Sequence, residues 1–152
     1  MIEGVKVKKL NRHVDERGYL MEILRCDDKN FYRKFGQIYL TTCYPGVVKA
    51  WHRHKKQYDN FCCLKGNVKI GLYDPMKNSK TYKKTDTFIL GELNPVLLQI
   101  PPMVWHGQMA LGNEMSYLIN IPTEPYNMEN PDEDRMNPFE NDFNYEWNIK
   151  NK

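Results

Sequence analysis

The chain has 152 residues, of which 41% are hydrophobic and 12% aromatic, enough for one compact domain with a buried core. Its formal charge of +3 is mild and is spread along the chain, which argues against a nucleic-acid or membrane-binding stripe. No apolar run approaches the roughly 20 residues of a membrane helix, and the N-terminus lacks the apolar middle of a signal peptide. The four cysteines show no disulfide or zinc-ribbon spacing, so reduced thiols in the cytoplasm are predicted.

Short strand-like segments separated by glycine and proline fill the middle of the chain. They are rich in β-branched and aromatic residues, and Lys65-Gly66-Asn67 has the composition of a hairpin turn. No stretch between Gly36 and Pro122 keeps a 3.6-residue apolar period, so no amphipathic helix is expected there. This pattern indicates an all-β sandwich or barrel. The predicted strands are, in chain order, GQIYLTTCY, VVKAWHRH, NFCCL, VKIGLYD, DTFILGE, PVLLQIPP, HGQMAL and MSYLINIP.

From Pro122 onward the composition changes to proline, asparagine and acidic residues. Such a segment cannot form a core alone, so we predict an irregular C-terminal tail that lies over the barrel. Four aromatic side chains are expected to pin this tail: Tyr126, Phe139, Tyr145 and Trp147.

Two histidines stand one residue apart in a predicted strand, so their side chains should point to the same face. The spacing of the residues around them resembles the first cupin motif, with aspartate in place of the usual glutamate. The resemblance implies a cupin fold, a double-stranded β-helix or jelly-roll barrel. The residues of this motif are Gly46, His52, His54, Asp59 and Gly66.

The second cupin motif is kept only in part. Pro101 and His106 have the expected separation, but Met103 and Ala110 replace the expected glycine and asparagine. Three imidazoles and one carboxylate that converge can bind a divalent ion. Without a metal, the same arrangement offers a histidine base in a cavity with polar neighbours. Under the metal interpretation the ligands are His52, His54, Asp59 and His106.

Four pieces of the chain, taken in order, resemble the dTDP-4-dehydrorhamnose 3,5-epimerase family, the RmlC-like cupins. They are DERGYLME, FGQIYLTTCYPGVVKAWH, LKGNVKIGLYD and IPPMVWHGQMAL. The resemblance runs from about Val14 to Asn120. It implies a single domain over 1–152, with a core of about 14–121 and a tail of about 122–152.

The resemblance also implies a role for individual residues. His52 would remove a proton beside the C4 ketone of a nucleotide-linked sugar, and His106 would bind the sugar or stabilise charge near the reacting carbon. A histidine suits this step because its ordinary pKa lies near the operating pH. The residues implied in substrate binding are Arg17 and Glu22 for the nucleotide, Gln37 in the lining of the site, and Lys49 at the position of the family's phosphate-binding arginine.

The same resemblance defines the expected partners. The substrate would be a nucleotide sugar, and no cofactor would be consumed, because inversion through an enolate needs only proton transfer. A homodimer is expected because small cupin barrels have open sheet edges that pairing can cover. No nucleic-acid or membrane partner is expected.

Several family positions are not kept. Ile119 stands where the family has its proton-donating tyrosine, and Tyr117, two residues earlier, is the candidate substitute in the site. Asp59 stands where the family has the lysine that supports the enolate. The aspartate that pairs with the base belongs to a C-terminal segment that this chain lacks, and Glu140 or Asp142 is a candidate replacement.

These departures leave several functions open. The first is an isomerase of the 3,5-epimerase type, with inversion at both carbons or at one. The second is a sugar 3,4-ketoisomerase, because the HRHKK segment resembles the H-x-H-K of those enzymes. In that case His52 and His54 would both be catalytic. The third is a metal-binding cupin, and the fourth is a non-catalytic sugar- or nucleotide-binding cupin.

Overall fold

The computed structural model describes residues 1–149, and every regular element in that range is a β-strand. The all-β prediction is therefore confirmed for this range. None of the described residues belongs to a helix that is long and apolar enough to cross a membrane. The strands are β1 (Lys6–Lys9), β2 (His13–Asp15), β3 (Gly18–Leu20), β4 (Tyr39–Cys43), β5 (Val48–Arg53), β6 (Asp59–Lys65), β7 (Asn67–Tyr73), β8 (Thr85–Gly91), β9 (Val96–Ile100), β10 (Trp105–Leu111), β11 (Ser116–Asn120) and β12 (Asp134–Arg135).

Two five-stranded antiparallel sheets face each other. We call the sheet with the order β1-β9-β6-β11-β4 sheet I, and the sheet with the order β12-β5-β10-β7-β8 sheet II. Strands β2 and β3 form a separate hairpin. The predicted turn at Lys65-Gly66-Asn67 is present, and the positive φ of 70° at Gly66 suits glycine. The prediction that it closes a hairpin is wrong, because it connects β6 of sheet I to β7 of sheet II and these two strands do not pair.

Because side chains alternate between the two faces of each strand, the buried apolar residues form three clusters on different faces of the sheets. The central cluster lies between the sheets and includes Phe61, Cys63 and Leu118 from sheet I and Ile70 and Leu72 from sheet II. Cys62 points the opposite way, into a cluster on the outer face of sheet I. Adjacent cysteines therefore face opposite sides of β6, as the strand pattern predicts, and all four cysteines are free thiols.

The tail covers the outer face of sheet II. Trp51, Phe143 and Trp147 are buried together there, and the Phe143 ring stacks on Tyr73 with centroids 3.9 Å apart. The ring of Tyr145 packs edge-on against Trp51, with centroids 5.1 Å apart. The predicted anchoring by Tyr145 and Trp147 is thus confirmed.

Two of the predicted anchors are wrong. Tyr126 is 51% exposed and Phe139 is 72% exposed, so Phe143 replaces them as the third aromatic contact of the tail. The tail is also less irregular than predicted, because Asp134 and Arg135 form β12, which pairs with β5. At the other end, β1 adds a strand to sheet I before residue 14, the predicted start of the core.

Candidate active site

Three histidines meet in the space between the sheets. Because side chains alternate along β5, Trp51 points outward to the tail while His52 points inward, and His54 follows on the same side. His106 on β10 is paired in register with His52. The ring centroids of His52 and His106 are 4.1 Å apart, and the ring of His54 lies 5.6 Å from His52 and 5.8 Å from His106.

Asp59, on the facing sheet, completes this cluster. Its carboxylate is almost fully buried, and Oδ1 accepts hydrogen bonds from Gln57 Nε2 at 2.7 Å and Asn120 Nδ2 at 2.6 Å. The other oxygen, Oδ2, lies 3.4 Å from His106 Nε2 and 3.7 Å from His54 Nε2. Two amides thus hold the carboxylate so that it faces both imidazoles.

Backbone carbonyls fix the orientation of two of the rings. His106 Nδ1 donates to the carbonyl oxygen of Val104 at 3.0 Å, and His54 Nδ1 donates to the carbonyl oxygen of Asp132 at 2.5 Å. Because a carbonyl oxygen only accepts, both Nδ1 atoms carry hydrogen and both Nε2 atoms turn toward the site. Within residues 1–149, His106 Nε2 is buried and makes no hydrogen bond, and His106 lines neither of the cavities described below.

The environment of His52 favours its neutral form. Burial, together with the nearby His106, His54 and Arg135, holds the pKa of His52 well below the ordinary histidine value. Burial also lowers the pKa of His106, although the Asp59 carboxylate opposes that change. A neutral His52 imidazole at physiological pH can accept a proton.

The three histidines also form a possible metal site. One ring nitrogen from each of His52, His54 and His106 lies within 4.8 Å of the others. Imidazole nitrogens suit zinc, copper, iron and nickel, so the residues present fit a divalent transition metal. The carboxylate of Asp59 lies beside the same nitrogens and could complete such a site.

His52 borders two adjacent surface cavities that are large enough for a sugar and part of a nucleotide. One has a volume of about 660 Å³ and the other of about 460 Å³, and Tyr39, His52, Glu133 and Arg135 line both. The tail forms much of the wall of the larger cavity, from Glu124 to Arg135. Its Asp132 carboxylate accepts hydrogen bonds from the backbone nitrogens of residues 55 and 56, which fixes this wall to the end of β5.

The structure brings only some of the predicted site residues together. His52, His54, His106 and Asp59 form the cluster described above, Gln37 lines the larger cavity, and Lys49 lines the smaller one. Arg17, Glu22 and Tyr117 line neither cavity.

Each of these three outlying residues has a local contact of its own. Arg17 Nη2 is 2.5 Å from Asp15 Oδ2, and the Arg17 side chain is 88% exposed. Glu22 forms an ion pair with Arg25 at 2.8 Å. Tyr117 lies at the protein surface, where the Lys65 ammonium is 5.8 Å from its ring.

The side chain at the position of the family's proton-donating tyrosine points away from the site. Ile119 packs in the outer cluster of sheet I with Cys62, whereas its neighbour Asn120 turns inward to Asp59. Of the two predicted replacement acids, Glu140 bonds to Asn137 on the surface, and neither it nor Asp142 lines the cavities.

Sequence reasoning missed Tyr39 and the tail residues 132–135. Tyr39 is the first residue of β4, and the period-two pattern of GQIYLTTCY places it on the same face as Thr41, which also lines the smaller cavity. That alternation could have revealed it. The tail residues had no comparable signal, because an acidic stretch does not indicate which strand it will pair with.

The fold is a β-barrel of two sheets. Between the sheets lie two histidines from β5 and its end, a third from the neighbouring strand β10, and a facing carboxylate. This combination defines an RmlC-like cupin. The family model for dTDP-4-dehydrorhamnose 3,5-epimerase matches residues 1–152. The chain therefore belongs to the dTDP-4-dehydrorhamnose 3,5-epimerase family, whose members are isomerases of nucleotide sugars.

Individual relatives agree with this assignment. The chain is 43% identical to a Haloferax volcanii protein named "Probable low-salt glycan biosynthesis epimerase Agl13", over 98% of this chain and 96% of that protein. A dTDP sugar isomerase from Desulfovibrio desulfuricans G20 has 30% identity and a TM-score of 0.85, with 91% of this chain and 87% of that chain covered. The 3,4-ketoisomerase QdtA from Thermoanaerobacterium thermosaccharolyticum, solved as a double mutant with TDP, has 26% identity and a TM-score of 0.72, with 90% of both chains covered.

Proposed function

We propose that this enzyme is an epimerase of dTDP-4-keto-6-deoxyhexoses in which His52 removes a proton from a carbon next to the C4 ketone. One observation carries the proposal: the His52 imidazole lines a cavity large enough for the sugar. Burial and the neighbouring cationic and imidazole groups, which lower the pKa of His52, support its role as a base. Membership of the epimerase family supplies the substrate class. The product would serve deoxysugar or polysaccharide biosynthesis, in line with the name of the Haloferax volcanii relative.

The chemistry needs a base and groups that stabilise an enolate. When His52 takes the proton, negative charge develops on the ketone oxygen. The guanidinium of Arg135, which lines both cavities beside His52, can stabilise that charge. His106 is buried, with its ring centroid 4.1 Å from that of His52, and would position the base. Asp59 acts as a positioning residue, because its carboxylate faces the two neighbouring imidazoles and lines neither cavity.

The nucleotide would lie toward the smaller cavity and the subunit boundary. Lys49 provides a cation there for a phosphate. Arg17 and Glu22 are on or beside the β2–β3 hairpin, outside their own chain's cavities, so we propose that they contact the nucleotide bound to a second subunit.

A homodimer is the expected assembly. The hairpin exposes Val14, Tyr19 and Leu20, and edge strand β4 exposes Leu40, so two copies could cover these apolar side chains together. Light scattering at micromolar concentration should give a molar mass of about twice 18.1 kDa. A clean monomer under these conditions would contradict the assembly and the shared nucleotide site.

The function is tested by hydrogen exchange at carbon. We would incubate the enzyme with dTDP-4-keto-6-deoxyglucose in deuterated water and follow the sugar by proton NMR. Deuterium at C3 and C5 with inverted configuration is expected, and deuterium at one of the two carbons would indicate a single epimerase. Absence of exchange with several nucleotide-linked 4-keto sugars, despite binding, would contradict the proposal and favour a non-catalytic binding protein.

No cofactor is expected, so the same assay should be run on enzyme treated with a chelator. Treated and untreated enzyme should have the same activity, because each proposed step is a proton transfer between protein and sugar. Loss of activity that an added divalent metal restores would instead support the metal site of the three histidines.

A 3,4-ketoisomerase is the second candidate. His54 lines the same cavity as His52, and the ketoisomerase relative matches over most of its length. In the NMR assay this activity would move the ketone from C4 to C3, which changes the carbon spectrum without inversion at C5. The assay therefore separates the two isomerisations directly.

The pH dependence of kcat/KM should report the state of His52. Because the pKa of His52 is held well below the ordinary value, the base is already neutral near pH 7, and kcat/KM should be flat from pH 7 to 8 and fall only in acid. Removal of a neighbouring cation favours the imidazolium, so Arg135→Gln should move the acid limb to higher pH. A limb centred above pH 7 in the unsubstituted enzyme would contradict this assignment.

A further inference from the structure

Tyr39 stands across the cavity from the base. It is the first residue of β4 in sheet I, whereas His52 lies on β5 in sheet II, and both side chains line both cavities. Inversion of a carbon centre requires that a proton leave from one face of the ring and arrive at the other. A phenol and an imidazole on opposite walls meet that geometric requirement.

The hydrogen bonds around Tyr39 leave its proton free for a ligand. Asn120 Oδ1 accepts from the backbone nitrogen of Asn60 at 2.9 Å, which fixes the orientation of the Asn120 amide. The two hydrogens of Asn120 Nδ2 are then donated to Asp59 Oδ1 at 2.6 Å and to the Tyr39 hydroxyl oxygen at 2.9 Å. Within residues 1–149, Asn120 is the hydroxyl's one hydrogen-bond partner, and Tyr39 serves there as acceptor.

This arrangement suits an acid rather than a second base. Burial raises the pKa of Tyr39 to about 12, so the phenol keeps its proton at neutral pH. When the phenol gives up that proton, the Asn120 Nδ2–H already points at the oxygen and stabilises the phenolate. Tyr39 keeps 38% exposure, so solvent can restore its proton between turnovers.

We propose that Tyr39 is the acid that returns a proton to the substrate, in place of the family tyrosine that is absent at Ile119. The inference rests on the proposed function. His52 takes the proton from the carbon next to the ketone and becomes imidazolium, and the C–H electrons form the enolate. The Tyr39 O–H bond then breaks, its proton forms a new C–H bond on the opposite face, and the ketone is restored. Imidazolium and phenolate return to their starting forms by proton exchange with water.

The test uses Tyr39→Phe, which removes the acidic hydroxyl and keeps the ring. Formation of the inverted sugar should fall by at least about a hundredfold, since general acid catalysis typically contributes that much. Deuterium exchange at the same carbon should continue with retained configuration, because His52 still removes and returns a proton on its own face. The readouts are the rates of exchange and of inversion, both measured by NMR in deuterated water.

Tyr82→Phe is the matched control, because Tyr82 is 38% exposed, as Tyr39 is, but lies outside both cavities. It should leave both rates unchanged. Inversion by Tyr39→Phe at the unsubstituted rate would overturn the assignment, and so would equal loss of exchange and inversion in a variant that still melts normally and binds dTDP. Failure of the unsubstituted enzyme to exchange deuterium would instead refute the proposed function itself.

Discussion

His52→Ala is expected to lower the rates of both deuterium exchange and inversion by about a hundredfold to ten-thousandfold, the usual contribution of a general base. The substitution removes the imidazole that faces the cavity and leaves the other two histidines, Asp59 and the cavity walls in place. Binding of dTDP should change little, because the phosphate contact is proposed for Lys49. The measurements are the two NMR rates and the dissociation constant of dTDP by calorimetry.

His13→Ala is the matched control for this experiment. His13 is exposed on β2 and lines neither cavity, so at saturating substrate the same change of side chain should leave both rates close to those of the unsubstituted enzyme. A change confined to KM would belong to the contact proposed between this hairpin and the second subunit. If His52→Ala retained full exchange, the base would be a different residue, and His54 would be the next candidate because it lines the same cavity.

Phe143→Ala should destabilise the fold by about 3–5 kcal/mol, the usual cost of deleting a buried phenylalanine side chain. Phe143 is 4% exposed, lies parallel to the ring of Tyr73 at 3.9 Å, and meets Trp51 edge-on with centroids 5.3 Å apart. The substitution would leave a cavity between the tail and sheet II. Urea unfolding followed by tryptophan fluorescence gives the free energy of unfolding.

Phe139→Ala provides the control within the same tail. Phe139 is 72% exposed, so its removal should change the free energy of unfolding by no more than about 0.5 kcal/mol. Equal effects of the two substitutions would show that the tail is not held by the aromatic cluster. The comparison separates the effect of deleting a buried ring on the free energy of unfolding from the effect of deleting an exposed one.

The central strands could be predicted because their signals are local. The run from Asp59 to Tyr73 has turn residues at Lys65-Gly66-Asn67 and β-formers on both sides, and the structure has β6 and β7 there. The inward orientation of His52 and His54 follows from strand alternation once Trp51 is assigned to the other face. These predictions depend on residues that are close together in the sequence.

The predictions that failed depend on contacts between distant segments. Tyr126 and Phe139 are aromatic residues in the tail just as Phe143 is, and nothing in the local sequence indicates which ring meets Trp51. The separation of Ile119 from His106 along the chain gives its place in the family pattern, but only the packing of β11 shows that its side chain points outward. The contacts of Asp132 with the end of β5 join residues more than 70 positions apart and have no local signal.

The pairing of β12 with β5 has a consequence for the size of the smallest active form of this enzyme. A shortened chain that stopped at 121 would keep eleven of the twelve strands described in residues 1–149 and lose only β12 of sheet II. It would nevertheless lose Arg135 and the tail wall of the larger cavity. Such a fragment would expose Trp51 and Tyr73 to water and have no enclosure for the sugar. The boundary of the catalytic unit is therefore set by the tail, not by the last long strand.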